Sequence, residues 1–347
     1  MATTLTAAAL RRELAALAIT YATAHSRLHP HESTYGSIPN VVFQPGEETH
    51  GNFHPDSYRA ILANPAWSAR LTKVYTSTRR IPHHHHPDRN RTRRELDCAS
   101  SSDALLMNIF CHPAALTTPA VRALLGLRAD EAAAELTFGY HPRLPLLTLR
   151  APKARRKNSP LPVLDRTEID LHLSPLLVEA KLTESDFQRA PLSAVERYPA
   201  FSEIFDVPSL PITTPLEAFQ EEPQDPQYSP AIPKIQASDD DRPWTPEPDL
   251  PPNLSTTNKP KIQRQPILHS YQLVRGVLAA HHEDKRFVVL CDRRRADLIE
   301  RWFQILRAIR PYELRSRCAL LTWQELAATL PITLQHFLET KYGIHLA

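Results

Sequence analysis

Arg166-Thr167-Glu168-Ile169-Asp170-Leu171-His172-Leu173-Ser174-Pro175-Leu176-Leu177-Val178-Glu179-Ala180-Lys181 reads as two short strands joined by a tight connection, with acids and one lysine gathered on one face. Successive side chains of a strand point to opposite sides, so alternate residues share a face. Ile169, Leu171 and Leu173 form the apolar side of the first strand, and Glu168 and Asp170 point the other way. In the second strand Leu176, Val178 and Ala180 are apolar, while Leu177, Glu179 and Lys181 share the opposite face. A turn centred between Ser174 and Pro175 sets Asp170 opposite Glu179 and Glu168 opposite Lys181. Directly opposed Cβ atoms lie roughly 4.5–5.5 Å apart. Proline suits the second position of a two-residue primed turn poorly, because that position needs positive φ. A four-residue loop with the same centre is therefore expected.

Two carboxylates at that distance repel, and at neutral pH they call for a cation between them. Oxygen ligands suit Mg²⁺ or Mn²⁺. Lys181, two residues beyond Glu179, would then reach a metal-bound water or a phosphate oxygen. Such a set can hydrolyse a phosphodiester: the ion lowers the pKa of water, and ion and lysine together offset charge in the transition state. The plainer alternative with the same periodicity is an exposed hairpin face carrying a Glu168–Lys181 ion pair.

The stretch resembles the core motif of the PD-(D/E)XK nuclease superfamily, with Asp170 at the motif aspartate and Glu179-Ala180-Lys181 at its E-x-K. Ile169 stands where that pattern has proline. The flanking chain is similar to the bacterial restriction-endonuclease-like branch in four segments. These are residues 100–110, which open Ser100-Ser101-Ser102-Asp103, residues 166–187, the run Tyr271-Gln272-Leu273-Val274-Arg275, and residues 286–310. The resemblance implies an α/β fold with a central mixed β-sheet flanked by helices. It also implies metal-dependent hydrolysis of nucleic acid, with DNA as the first expectation. Asp170 and Glu179 would ligate Mg²⁺ (or Mn²⁺), the Ala180 carbonyl would complete the set, and Lys181 would orient the attacking water. Gln272 falls where related nucleases place a helix glutamine facing the site. A third acid often joins from the first core helix or strand. Glu135 and Glu95 are candidates for it, and Glu168 shares the catalytic face. Ser100-Ser101-Ser102 is expected to cap a helix through about Phe110, with Asp103 in the first turn where the helix dipole favours an acid; Asn108 on that helix is either a group that supports the ligands or a satisfied buried amide. A module that keeps the fold and binds nucleic acid without cutting it is the alternative function.

Composition bounds these readings. The 347 residues can bury a substantial core, in one elaborated domain or in two. A net charge of +3 does not announce a nucleic-acid partner, so local clusters must carry that argument. One cluster lies between Arg79 and Arg94, one comprises Lys153, Arg155, Arg156 and Lys157, and a third is Arg293-Arg294-Arg295. Arg155, Arg156, Lys157, Arg275, Arg293 and Arg294 are the candidate backbone contacts. His83, His84, His85 and His86 are consecutive and do not form a preorganised ligand set. Four scattered cysteines without a C-x-x-C favour a reducing cytoplasm and argue against structural zinc. With 7 glycines and no phosphate-cradling glycine loop, an ATPase or dinucleotide enzyme is disfavoured. No apolar run reaches the roughly 18 residues a membrane span needs. A homodimer would suit double-strand cutting.

Along the chain, residues 1–94 read as an N-terminal helical and basic-loop region. Residues 95–207 read as the first part of the core, and 267–347 as its second part. Between them, 208–266 is rich in Pro, Glu, Asp, Gln and Ser and reads as a long disordered insertion. Asp56 is expected to cap a helix that Pro65 ends, and Phe187 to help close the site.

Overall fold

The computed structural model describes residues 5–26, 28, 30–35, 38–73, 94–128, 136–147, 163–214 and 265–345. Glu135, Arg155, Arg156, Lys157, the histidine run and residues 215–264 of the proline-rich stretch lie outside the described residues.

From the N-terminus, helix α1 (Ala7–Ala24) leads to the paired strands β1 (Pro30–Tyr35) and β2 (Ile38–Phe43). Helices α2 (Pro55–Ala63), α3 (Pro65–Arg70), α4 (Ser102–Phe110) and α5 (Pro119–Leu124) follow. Next come strand β3 (Leu136–Tyr140) and the short pair β4 (Pro145–Leu146) and β5 (Val163–Leu164). The diagnostic hairpin is β6 (Ile169–Leu173) and β7 (Leu176–Ala180). After β8 (Arg189–Pro191), α6 (Leu192–Val195), α7 (Phe201–Ile204) and β9 (Ile212–Thr213), the chain re-enters at β10 (Ile267–His269). It ends through α8 (Tyr271–His282), β11 (Arg286–Cys291), α9 (Ala296–Ala308), α10 (Tyr312–Ser316), β12 (Cys318–Thr322), α11 (Trp323–Ala327) and α12 (Ile332–Tyr342).

The central sheet has the order β3-β6-β7-β11-β12. β3, β6 and β7 pair antiparallel, and β7, β11 and β12 pair parallel, so the sheet is mixed as expected. Helices cover both faces. Val178, Val288 and Leu290 pack with Leu106, Trp323 and Leu338 on one side. Leu177, Phe287 and Val289 pack with Val274, Trp302 and Ile305 on the other. β7 is buried at all five positions, as a central strand with both faces covered must be. Among the described residues no helix is long and apolar enough to cross a membrane.

The hairpin keeps the expected centre, with Leu173 opposite Leu176, His172 opposite Leu177 and Leu171 opposite Val178. Its loop is two residues and not four. The Ser174–Pro175 peptide is cis, the arrangement of a type VI turn, which does not require the positive φ that proline refuses.

Simple alternation fails at one point. Leu171 and Leu173 pack on the first face, but Ile169 packs on the second. The partner strand β3 does the same, with Phe138 on the first face and Tyr140 on the second. Between the last two lies Gly139 at φ +66°, a conformation that glycine reaches without a Cβ penalty. Because Phe138 pairs with Leu171 and Tyr140 with Ile169, the two strands turn over together, and Asp170 sits at the turnover in β6.

Three further expectations are corrected. His54 caps α2 through its ring nitrogen, with Asp56 in the first turn; Pro65 opens α3 behind the capping side chain of Asn64. Within residues 208–266, read as disordered, Ile212–Thr213 forms β9 and pairs with β10. Phe187 is fully buried in the second cluster and serves the core.

Candidate active site

β7 ends by placing Glu179 on the face covered by α8. Glu179 is 1% exposed and Lys181 5% exposed. The lysine donates to Glu179 from Nζ to Oε1 at 2.8 Å. Glu179 Oε2 lies 4.0 Å from Arg275 Nη2, whose nitrogen also donates to the Glu168 carbonyl at 2.5 Å. Arg275 is 2% exposed, so its guanidinium is turned into the protein; among the described residues its Nε and Nη1 have no hydrogen-bond partner. Gln272, one turn earlier on α8, is also buried. The backbone at the motif's end is fixed on both sides. The Lys181 amide donates to the Leu290 carbonyl, and Trp323 Nε1 donates to the Lys181 carbonyl at 2.9 Å.

Asp170 reaches the same strand end from β6. Its Oδ2 accepts the amide of Ala180, the residue between Glu179 and Lys181, at 2.7 Å. Burial first, and then the Glu179 charge, hold the Asp170 carboxyl well above the usual carboxylate range; Asp103 adds to the effect, and Lys181 opposes it. For Lys181 desolvation works against the charged form, but Glu179 and Asp170 outweigh it and hold the ammonium protonated above its ordinary range. A buried acid, a half-buried acid and a buried ammonium therefore share the site.

Beside this lies a second charged group. Arg70 Nη2 donates to Asp103 Oδ2 at 2.8 Å and to Glu168 Oε1 at 3.0 Å. Lys73 Nζ lies 2.9 Å from Glu168, 3.2 Å from Asp103 and 3.1 Å from Glu95. The Glu168–Lys181 pair allowed by the strand pattern does not form. Burial and then the Asp103 charge push the Glu95 carboxyl up to about 8. Asp103, read from sequence only as an acid suited to the start of a helix, belongs to this group, and its charge also acts on Asp170; Arg70 and Lys73 had no sequence signal at all.

Elsewhere the sequence candidates separate. Asn108 is fully buried away from these acids. It accepts the His54 amide at 2.7 Å and donates to the Asn52 and Ala104 carbonyls. Arg294 is paired with Asp292 and Glu13 at 2.8 Å each. Arg293 is half-buried, and its amide donates to Gln324. Arg295, fully buried, donates to the carbonyls of Leu182 and Glu184 and so holds the loop that follows Lys181. Ser102 and the Leu182 amide both bond Glu184, tying that loop to α4.

Away from this site, His54, Asp56 and His112 each bring a ligand atom within 4.8 Å of the others. Both rings accept a backbone amide at Nδ1, from Asp56 and Ala114, so the neutral rings carry their proton on Nε2. Binding a metal through either nitrogen would sacrifice those bonds, and the histidines act as caps. All four cysteines are buried free thiols.

No curated protein and no solved structure matches the chain. Residues 22–343, nearly the whole chain, match the family described as restriction endonuclease associating with ARP, and the chain belongs to that family.

Proposed function

We propose that the chain is a metal-dependent nuclease of the PD-(D/E)XK type that hydrolyses phosphodiester bonds, with DNA as substrate. The observation that carries this reading is the meeting of Asp170, Glu179 and Lys181 at one strand end, with the Asp170 carboxylate accepting the amide of Ala180, the residue between the other two. The family description points the same way.

The donor set fits a hard divalent cation. Asp170 and Glu179 offer only oxygen, and a cation between them would relieve the repulsion that burial intensifies. Asp170, Glu179 and the Ala180 carbonyl would hold Mg²⁺ or Mn²⁺. When bound, the ion supplies a water acidic enough to act as nucleophile at neutral pH.

The chain's own residues do the rest. Lys181, a buried ammonium, orients that water and offsets charge developing on the phosphate oxygens. Arg275 braces Glu179 from behind, and its hold on the Glu168 carbonyl fixes the approach to Asp170. Gln272 lies on the same helix, where it can position water. Arg293 remains a candidate contact for the nucleic-acid backbone.

The test is cleavage of supercoiled and single-stranded DNA with Mg²⁺, Mn²⁺ or EDTA, comparing the native chain with Lys181→Ala. Metal-dependent cutting lost in the variant is expected. DNA binding without cutting by either chain would overturn the reading in favour of a catalytically inactive binding module.

A further inference from the structure

The ammonium of Lys73 occupies a cage of carboxylates. Its three partners come from separate parts of the chain: Glu95 from the segment before α4, Asp103 from the first turn of α4, and Glu168 from the residue before β6. The contacts of 2.9–3.2 Å have the reach of an ammonium and exceed the roughly 2.1 Å bonds of Mg²⁺. The fold makes room for positive charge here. A Cβ at Gly139 would come within 2.2 Å of Arg70 Nη1, so the glycine beside the strand turnover is what lets that guanidinium approach Glu168 and Asp103. The group also adjoins the proposed metal site: Glu168 is two residues from Asp170, and Arg275 Nη2, which donates to the Glu168 carbonyl, lies 4.0 Å from Glu179 Oε2.

Without Lys73, three carboxylates would face Arg70 alone. That leaves more carboxyl groups than one guanidinium can compensate, beside a site already suited to a divalent ion, and all the donors are oxygen.

We propose that Lys73 is a built-in cation that stands where a second divalent ion would otherwise bind, so that this enzyme works with one metal ion. The inference rests on the reading of Asp170 and Glu179 as ligands of the first ion. Lys73 is a positioning residue: it holds Asp103 and Glu168 away from the first ion and keeps the acids of the second cage compensated. Its replacement by a small neutral residue opens that cage to a second ion.

The test is titration of the full chain with Mn²⁺, followed by calorimetry and by the electron paramagnetic resonance of free Mn²⁺. The native chain is expected to take up one ion and Lys73→Ala two. Lys73→Arg should behave as native, and adding Glu168→Gln to Lys73→Ala should return the count to one. Asp170→Asn should remove the first ion from the native chain and leave the second in the Lys73→Ala background.

One ion bound by both the native chain and Lys73→Ala overturns this inference and leaves the nuclease reading standing. No ion bound by the native chain overturns the nuclease reading, and this inference with it. If Lys73→Ala unfolds in EDTA and regains its native melting transition with Mn²⁺, the ion has replaced the ammonium and the inference is supported. If it remains unfolded with Mn²⁺, the inference is overturned.

Discussion

Lys181 and Glu179 form an ion pair of 2.8 Å in which both side chains are almost wholly buried. A buried pair contributes little net stability against an apolar pair, yet breaking it by removing one partner costs about 3–5 kcal/mol, because the other charge is left uncompensated. Glu179 keeps Arg275 at 4.0 Å, which softens the loss. Lys181→Met is therefore expected to lower metal-free stability by about 2–4 kcal/mol. Cleavage should fall by roughly 100-fold or more, as for loss of a charge-stabilising group. Denaturant unfolding and single-turnover cleavage on the same preparation check both.

Asp170 should behave in the opposite sense. Its carboxyl is raised above the ordinary range, so the folded state prefers the protonated form, and the ionised form is a liability above the unfolded pKa. An amide imitates the protonated acid and can still accept the Ala180 N–H. Asp170→Asn is expected to stabilise the metal-free protein by ~1–2 kcal/mol while abolishing cleavage. A lower melting midpoint for Asp170→Asn would contradict the electrostatic account of this carboxylate.

Gly139 carries the strand turnover at positive φ and leaves space for Arg70. Gly139→Ala puts a side chain in a left-handed backbone, at about 1–2 kcal/mol, and forces Arg70 off Glu168 and Asp103. A combined loss of roughly 2–4 kcal/mol is expected. Combining Gly139→Ala with Arg70→Ala should cost less than the sum of the two, which a double-mutant cycle reads directly.

Lys341 is a buried lysine with no hydrogen-bond partner among the described residues; it lies over the rings of Tyr342 and Phe43 at 4.3 and 5.3 Å. Burial pushes its ammonium down to about 7. Between pH 7 and about 10.4 the unfolded chain binds the extra proton, so stability rises with pH across that window; below 7 both states are protonated and the penalty is complete. Lys341→Met should stabilise the protein by up to about 4–5 kcal/mol at pH 6 and by progressively less towards pH 10. Melting curves across that range give the slope.

The sequence by itself determined the sheet's central hairpin and its register, because apolar alternation and the position of Ser174-Pro175 leave one centre for the turn. Local period and tertiary burial also agree in the late elements, as in the apolar strand β11 and the amphipathic helix α9. The grouping of Asp170, Glu179 and Lys181 at one strand end was legible for the same reason: residues close in a hairpin are close in sequence. The tertiary structure alone decided what surrounds them. Arg70 and Lys73 draw Glu95, Asp103 and Glu168 together from separate parts of the chain, and no period encodes that meeting. Nor could alternation foresee that β6 turns over at Asp170, since the cause is Gly139 on another strand. Buried charge is settled last, by which oppositely charged groups the packed fold delivers to the same small volume.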